Sequence, residues 1–341
     1  MLKGAIVGFG FISGKGHFPA YQRREDVEIV AFADLCPARL DAARALAPKA
    51  RLYATWQELL EKEQLDFVDI STPPNVHAEI ALAALARGMH VLCEKPLTTS
   101  VAQALALVEG ARKHRRVVFP AHNYKHAPVV KFAQEVIAKG SIGTVRAVTL
   151  ETFRTTHAKG VSEWNPDWRR DKKISGGGIA MDHGSHSFYL TFAWLKSLPT
   201  QVTSKTLTLD KQWDTEDNLN CVLTFPTGFA HTFLTWTAGV RKVIYSLQGT
   251  KGALVIADDD WELTSGGKTE KGVIESDWMD ASHTKWFNSL FDQFKVAMTR
   301  GDFVNDELRE AVGCVQIIET CYRSSAEGCR ELPLTLDVTA L

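Results

Sequence analysis

The sequence predicts an α/β chain of two unlike units. The first is a doubly wound parallel sheet, and the second is an α+β unit on a mostly antiparallel, open-faced sheet. Three observations carry this. Short Val- and Ile-rich runs alternate with helical patterns as far as residue 120, as parallel strands buried on both faces require. A glycine-rich turn follows directly on the first apolar run. From Thr144 the alternation gives way to a succession of strand-like segments with few helices.

Taken in order, strands are expected at Gly4–Gly8, Val27–Ala33, Phe67–Ser71, His90–Cys93 and Val117–Pro120. Helices are expected between them at Phe18–Arg23, Pro37–Ala47, Thr55–Glu61, Val76–Arg87 and Ser100–Lys113. A further helix is expected at Pro128–Lys139. Period-two alternation then marks Val145–Phe153, Gln201–Leu209, Asn218–Phe225, Ala230–Trp236, Lys242–Gly249 and Ala253–Ala257. One helix, near Gly178–Trp194, interrupts them, and helices at Thr284–Arg300 and Asp306–Ala326 close the chain. The change of pattern divides the chain into residues 1–122 and 123–341.

A chain of 341 residues is too long for one ordinary core. With 39 basic and 40 acidic side chains it has no excess charge to draw nucleic acid or an anionic membrane. No apolar stretch reaches the roughly 18–20 residues of a membrane span, and no leader-like segment precedes the glycine turn. The six cysteines are scattered without a C-x-x-C pair. This suits reduced thiols, and hence a cytoplasmic setting, better than a disulfide frame or a zinc knuckle.

The turn reads Gly8-Phe9-Gly10-Phe11-Ile12-Ser13-Gly14. In a dinucleotide-binding turn the first glycine makes the tight bend, the second lets backbone approach a pyrophosphate, and a small third residue lets the helix pack on the strand. The free N–H groups of the helix then hold the phosphates. G-x-G-x-x-S alone also fits a strand running into a loop. Asp34, at the end of the second strand, adds the acid expected near the ribose hydroxyls. A carboxylate there favours NAD over NADP, although Arg39 lies close by in the sequence.

Three further stretches show a resemblance. They are "GHFPAY" after the turn, "STPPNVHAEIALAALARGMHVLCEKPL" from Ser71 to Leu97, and "SGGGIAMDHGSHS" from Ser175 to Ser187. With a C-terminal "YRSSAEGCRELPL", the chain resembles, over nearly its whole length, the Gfo/Idh/MocA family of nicotinamide-dependent sugar and cyclitol oxidoreductases. The resemblance implies a Rossmann domain followed by an open-faced α/β domain. It also implies a homodimer or homotetramer formed through that sheet, and an active site in the cleft between domains. The peptide bond before Pro96 is often cis in the family, which sequence does not decide.

The resemblance also assigns roles. Lys95, ending a strand in Glu94-Lys95-Pro96, would hold the substrate hydroxyl and stabilise alkoxide charge. His186 would be the general acid/base, since imidazole titrates near neutral pH. Asp182, four residues earlier, would share its helix face and orient substrate or imidazole, while His183 would point elsewhere. The glycines Gly176–Gly178 would let backbone approach the cofactor side of the cleft. Cofactor contacts are expected from Gly8, Phe9, Gly10, Phe11, Ile12, Asp34, Thr72, Pro73, Asn75, His77, Glu94, Lys95, Asn123, Trp168 and Arg169. Substrate contacts are expected from Lys95, Asn123, Arg154, His157, Trp164, Asp182 and His186. Two departures stand out. Lys125 replaces a frequent arginine beside Asn123. Tyr189 replaces the acidic residue that the family often carries three positions after the histidine.

Asp182, His186 and His157 also read as metal ligands, but no further ligand stands at suitable spacing and no metal is expected. The leading expectation is an NAD-dependent oxidoreductase acting on a secondary alcohol of a sugar, sugar acid or cyclitol. Two alternatives remain: a glycosidase that recycles tightly bound NAD through transient oxidation, and a non-catalytic NAD-binding regulator.

Overall fold

The computed structural model describes residues 1–275 and 282–341. Its first sheet contains β1 (Leu2–Val7), β2 (Val27–Ala33), β3 (Arg51–Tyr53), β4 (Phe67–Ile70), β5 (His90–Cys93) and β6 (Val118–Pro120). The strand order is β3-β2-β1-β4-β5-β6, and every pairing is parallel. The chain moves outward from β1 to β3 and then returns to the other side of β1 at β4. The crevice between the carboxyl ends of β1 and β4 is therefore the topological switch point, where ligands of such sheets bind.

The second sheet contains β7 (Val145–Phe153), β8 (Gln201–Leu207), β9 (Asn218–Phe225), β10 (Gly228–Thr235), β11 (Lys242–Gly249), β12 (Gly252–Ala257), β13 (Asp260–Ser265), β14 (Lys268–Val273) and β15 (Leu332–Pro333). Its order is β14-β13-β12-β11-β7-β10-β9-β8-β15. All pairs are antiparallel except β7 with β10. Sequence periodicity missed the two-residue β15 as well as β3, β13 and β14. Of these last three, the first has three residues, and the other two are polar strands at one end of the sheet, with little burial to impose alternation.

One face of this sheet is covered. Val148, Leu150, Leu219, Leu223, Leu234 and Leu247 form a single core with Phe188, Trp194, Ile317 and Ile318 of the helices Gly184–Leu195 and Asp306–Ala326. The other face leaves Phe229 and Val222 exposed, with Phe153 and Phe233 half-buried and their ring centroids 5.9 Å apart.

The last two long helices join the units. Phe287, Leu290, Phe291 and Phe294 of Thr284–Arg300 pack with Phe32, Phe67 and Phe119 of the first sheet. The helix Asp306–Ala326 buries Leu308, Ala311 and Val312 against the first unit, and Ile317, Ile318 and Cys321 against the second. Its N-cap, Asn305, accepts from Leu308 N at 3.0 Å, satisfying a free helix N–H, and donates to Val118 O of β6 at 3.0 Å.

Candidate active site

The glycine turn leaves β1 with Gly8 at φ +89°, a conformation open to glycine at no steric cost. A Cβ there would stand 2.7 Å from Thr72 N. Gly10 differs: a Cβ on it meets nothing within 4 Å. In a dinucleotide-binding turn such a space is kept open for the pyrophosphate. Ser13 is buried and donates to Gly8 O at 2.7 Å, pinning the turn from inside. Asp34 accepts from Phe9 N at 2.7 Å and Cys36 N at 2.8 Å, so its carboxylate borders the same turn. Arg39 lies across it too, donating to Phe9 O at 2.7 Å.

The helix after the turn opens with a π-helical turn, Ser13–His17, before Phe18–Gln22. Pro19 explains this. It has no N–H for the carbonyl of Lys15, which accepts from Thr284 Oγ1 at 2.9 Å instead. The bulge sends His17 inward, where Nδ1 meets Asp69 at 2.8 Å and Nε2 meets Glu94 at 3.0 Å. Tyr21 donates to Asp69 at 2.7 Å. Burial opposes charging His17, but the two carboxylates prevail and push its pKa up to about 9. Sequence reading left His17 without a role because its partners lie 52 and 77 residues away.

Glu94 is thereby turned into the protein: one oxygen faces His17, and the other accepts from Lys95 N at 3.1 Å. His77 is fully buried. Its ring nitrogens face Pro96 O at 3.1 Å and Thr72 O at 2.8 Å, so it braces the loop over β4 and the cis Lys95–Pro96 bond. Pro73 and Asn75 lie on that loop, flanking Pro74 at the start of a 3-10 turn. Thr72 Oγ1 and Asn123 Oδ1 are buried and make no hydrogen bond among the described residues. Orphaned polar atoms of this kind call for a ligand or water. With the open cradle over Gly10 and the carboxylate of Asp34, they fit a dinucleotide lying along the crevice.

Lys95 Nζ crosses to the second unit and donates to Asp182 O at 3.0 Å and Oδ1 at 3.2 Å. Arg169 Nε reaches the same Oδ1 at 3.2 Å, with its guanidinium 4.2 Å from the Trp168 ring centroid. Burial by itself raises the Asp182 pKa, but Lys95, Arg169 and His183 hold it well below the ordinary carboxylate range.

The expected single helix near Gly178–Trp194 is broken. Ile179–Asp182 and Gly184–Leu195 are separate, with His183 at the junction. Asp182 and His186 therefore lie on two successive segments rather than on one continuous helix. The expectation for His183 is also corrected: its Nδ1 lies 3.2 Å from Asp182 Oδ2 and its ring 6.3 Å from that of His186. His186 is 6% exposed and stacks on Tyr124 at 3.8 Å. Its Nδ1 meets the Tyr189 hydroxyl at 2.6 Å, so tyrosine takes the place of the missing acid.

The glycines before this segment have a different reason from the expected approach to a cofactor. A Cβ on Gly178 would stand 1.8 Å from Glu216 O, and one on Gly177 2.0 Å from Tyr322 Oη. Glu216 accepts from Gly178 N and Ala180 N, at 2.9 and 3.0 Å, and from Tyr322 at 2.9 Å. It thus caps the segment that presents Asp182. No sequence signal marks Glu216, since its role depends on a contact across 38 residues.

The loop after β7 is tied down at several points. His157, 5% exposed, meets Asp167 at 2.7 Å and packs against Trp213 and Trp236. Arg154 donates to Phe153 O at 2.8 Å. Arg170 forms a buried pair with Asp217 at 3.6 Å. Trp164 is 44% exposed, and its neighbour Glu163 reaches Cys36 Sγ at 3.4 Å and Arg39 at 3.3 Å. This part of the loop therefore adjoins the turn after Asp34. Phe11 is also exposed, whereas Phe9 packs in the core. Among the described residues, His122, Glu307 and Glu310 bring ligand atoms within 4.8 Å of one another. Lys125 already occupies that group, donating to Glu307 at 2.7 Å and pairing with Glu310.

A glycine-cradled crevice with a lysine, a carboxylate and an imidazole across it defines a nicotinamide-dependent oxidoreductase. Comparison with known proteins specifies it. Residues 2–122 match the model for the oxidoreductase family with an NAD-binding Rossmann fold, and residues 130–255 match the GFO/IDH/MocA C-terminal domain. The chain belongs to the Gfo/Idh/MocA family and is an NAD-binding oxidoreductase.

Among its relatives is the D-glucoside 3-dehydrogenase of Escherichia coli, 30% identical over 67% of this chain and 68% of that protein. Levoglucosan dehydrogenase of Pseudarthrobacter phenanthrenivorans is 32% identical over 53% of this chain, which spans about half of that protein (48%). Among solved structures, GenD2 from gentamicin A biosynthesis, in complex with NAD, is 26% identical, with TM-score 0.84 over 98% of this chain and 97% of that one. Among the described residues no helix is long and apolar enough to cross a membrane.

Proposed function

We propose that the protein is a dehydrogenase or reductase of a secondary alcohol on a polyhydroxylated ring, a sugar, sugar acid or cyclitol. Lys95, His186 and Asp182 are its reacting groups, and residues 1–122 and 123–341 are its cofactor and substrate units. The observation that carries this is Lys95 Nζ, held 3.0 and 3.2 Å from Asp182 O and Oδ1 across the crevice. When bound, NAD supplies the hydride acceptor. Lys95 holds the substrate oxygen and exchanges its proton, and Asp182 fixes the position of Lys95. His186 contacts the same oxygen. Asn123, with its unpartnered Oδ1, and Arg169 border the reacting end. Two sugar-derivative dehydrogenases among the relatives support the substrate class.

A homodimer through the open face of the second sheet is part of the same proposal. Exposed Phe229 and Val222, with half-buried Phe233 and Phe153, make an apolar patch of the kind that mediates association.

The test is nicotinamide absorbance over a panel of sugars, sugar acids, inositols and glycosides, with NAD and NADP separately. Reduction of NAD with a ring alcohol is expected. Release of an aglycone without net reduction replaces this reading by a redox-recycling glycosidase. Tight NAD binding with no turnover on any substrate in either direction rejects it.

A further inference from the structure

We infer that the Tyr189 hydroxyl locks His186 into the tautomer bearing its proton on Nε2, making His186 a hydrogen-bond donor to the substrate oxygen and leaving Lys95 to take the hydroxyl proton. The consequence for catalysis rests on the proposed dehydrogenase reading. The tautomer does not depend on that reading.

Tyr189 is fully buried, three residues beyond His186 on the helix Gly184–Leu195. Its hydroxyl has two hydrogen-bond neighbours among the described residues: His186 Nδ1 at 2.6 Å and Tyr124 N at 3.3 Å. A backbone N–H can only donate, so Tyr124 takes up a lone pair of the hydroxyl oxygen. Burial raises the Tyr189 pKa well above its ordinary value, so the hydroxyl keeps its proton. That single proton has one acceptor, His186 Nδ1. A neutral imidazole accepting at Nδ1 carries its hydrogen on Nε2.

The ring has no freedom to exchange its edges. Tyr124 stacks on it at 3.8 Å and 14°, and Tyr189 is itself stacked on His122 at 4.2 Å. The charged and titratable groups around His186 are Lys95 and Asp182 across the crevice, His183 on the preceding junction, His122 behind Tyr189, and the two tyrosines. Burial first, then Lys95 and His183, hold the His186 pKa well below its ordinary value, so the ring is neutral at physiological pH.

An acid at position 189 accepts from Nδ1–H and leaves the Nε2 lone pair free for a proton. The tyrosine reverses this. In alcohol oxidation the Lys95 ammonium first gives a proton to solvent and then takes the hydroxyl proton, and Nε2–H steadies the oxygen. In carbonyl reduction the Lys95 ammonium returns the proton while Nε2–H polarises the carbonyl.

Nitrogen-15 NMR of histidine-labelled full-length protein without cofactor tests the lock, with His186→Gln identifying the signals. The expected spectrum shows a protonated, pyrrole-type Nε2 and an unprotonated, pyridine-type Nδ1. A protonated Nδ1 in a neutral His186 overturns the inference. Tyr189→Phe is expected to raise the His186 pKa and slow carbonyl reduction about tenfold, the loss of one hydrogen bond of ordinary strength. Tyr189→Glu is expected to shift the proton to Nδ1 and add a neutral-pH limb to the oxidation profile. Unchanged nitrogen shifts and pH profiles in the phenylalanine variant count against the lock, whether or not the glutamate variant folds. If the wild type turns over no ring alcohol or ketone, the proposed function fails while the spectrum still decides the tautomer.

Discussion

Gly10→Ala separates cofactor binding from folding. Gly10 lies outside the positive-φ residues, and a Cβ on it meets no atom within 4 Å. The substitution is compatible with the backbone and stabilises by about 0.4–1 kcal/mol by restricting the unfolded chain. The new methyl group occupies the space into which the pyrophosphate packs. Displacing the phosphates costs about two charge-assisted N–H bonds at about 1.5 kcal/mol each, or about 3 kcal/mol. At about 1.4 kcal/mol per tenfold, NAD affinity falls about a hundredfold. Gly8→Ala is the contrast. Its φ of +89° and the 2.7 Å approach to Thr72 N penalise the fold as well as binding. The assay pairs calorimetric titration with NAD and thermal unfolding without it. The expected result is an unchanged or higher melting temperature and much weaker binding for Gly10→Ala, with both reduced for Gly8→Ala. An unaltered NAD Kd in Gly10→Ala refutes the placement of the pyrophosphate over the turn.

Lys95→Met removes the proton-exchanging group and is expected to cut kcat by roughly 10²–10⁴-fold while NAD still binds. Single-turnover absorbance with parallel NAD titration checks this, and turnover within threefold of wild type assigns the proton to another group. The His17 pKa, pushed up to about 9, lies above the unfolded value of 6.5. Its stabilisation is fully present below pH 6.5 and is lost as pH rises through 9. Between pH 7.5 and 9 the loss amounts to about 1.6 kcal/mol, the slope of 1.36 kcal/mol per pH unit falling to half as the folded pKa is reached. Urea unfolding over that window is expected to show this descent in wild type and not in His17→Gln, and parallel curves mean that His17 is neutral when folded. Phe233→Asp, on the open sheet face, is expected to yield monomers in sedimentation. A sedimentation mass equal to that of wild type rules out association through that face.

Much of this architecture was legible in the residues because its causes are local. Strand–helix alternation and period-two patterning located the strands of the first sheet except β3, and six strands of the second. Gly8, Gly10 and Asp34 marked the crevice because a tight turn and a ribose acid have fixed chemical requirements. Lys95, Asp182 and His186 were singled out by the motifs around them. Helix periodicity suggested one helix through Asp182 and His186, but the structure interrupts it at His183. Glu216 caps the first short segment at Gly178 and Ala180, and the chain restarts beyond His183.

The rest was decided by contacts between distant residues, which no local period encodes. His17 acquires its charge only where Asp69 and Glu94 converge on it, and Glu216 becomes a cap only beside Gly178. Tyr189 illustrates both halves. Its position after the histidine is visible in the sequence. The proton it donates to His186 follows only from the folded surroundings of its hydroxyl, where His186 Nδ1 is the acceptor and the other neighbour, Tyr124 N–H, is a donor 65 residues away. Turn chemistry and periodicity act within a few residues and so determined the fold class and the crevice. The protonation states of the reacting groups depend on burial and on partners supplied by other elements, and only the folded chain brings those together.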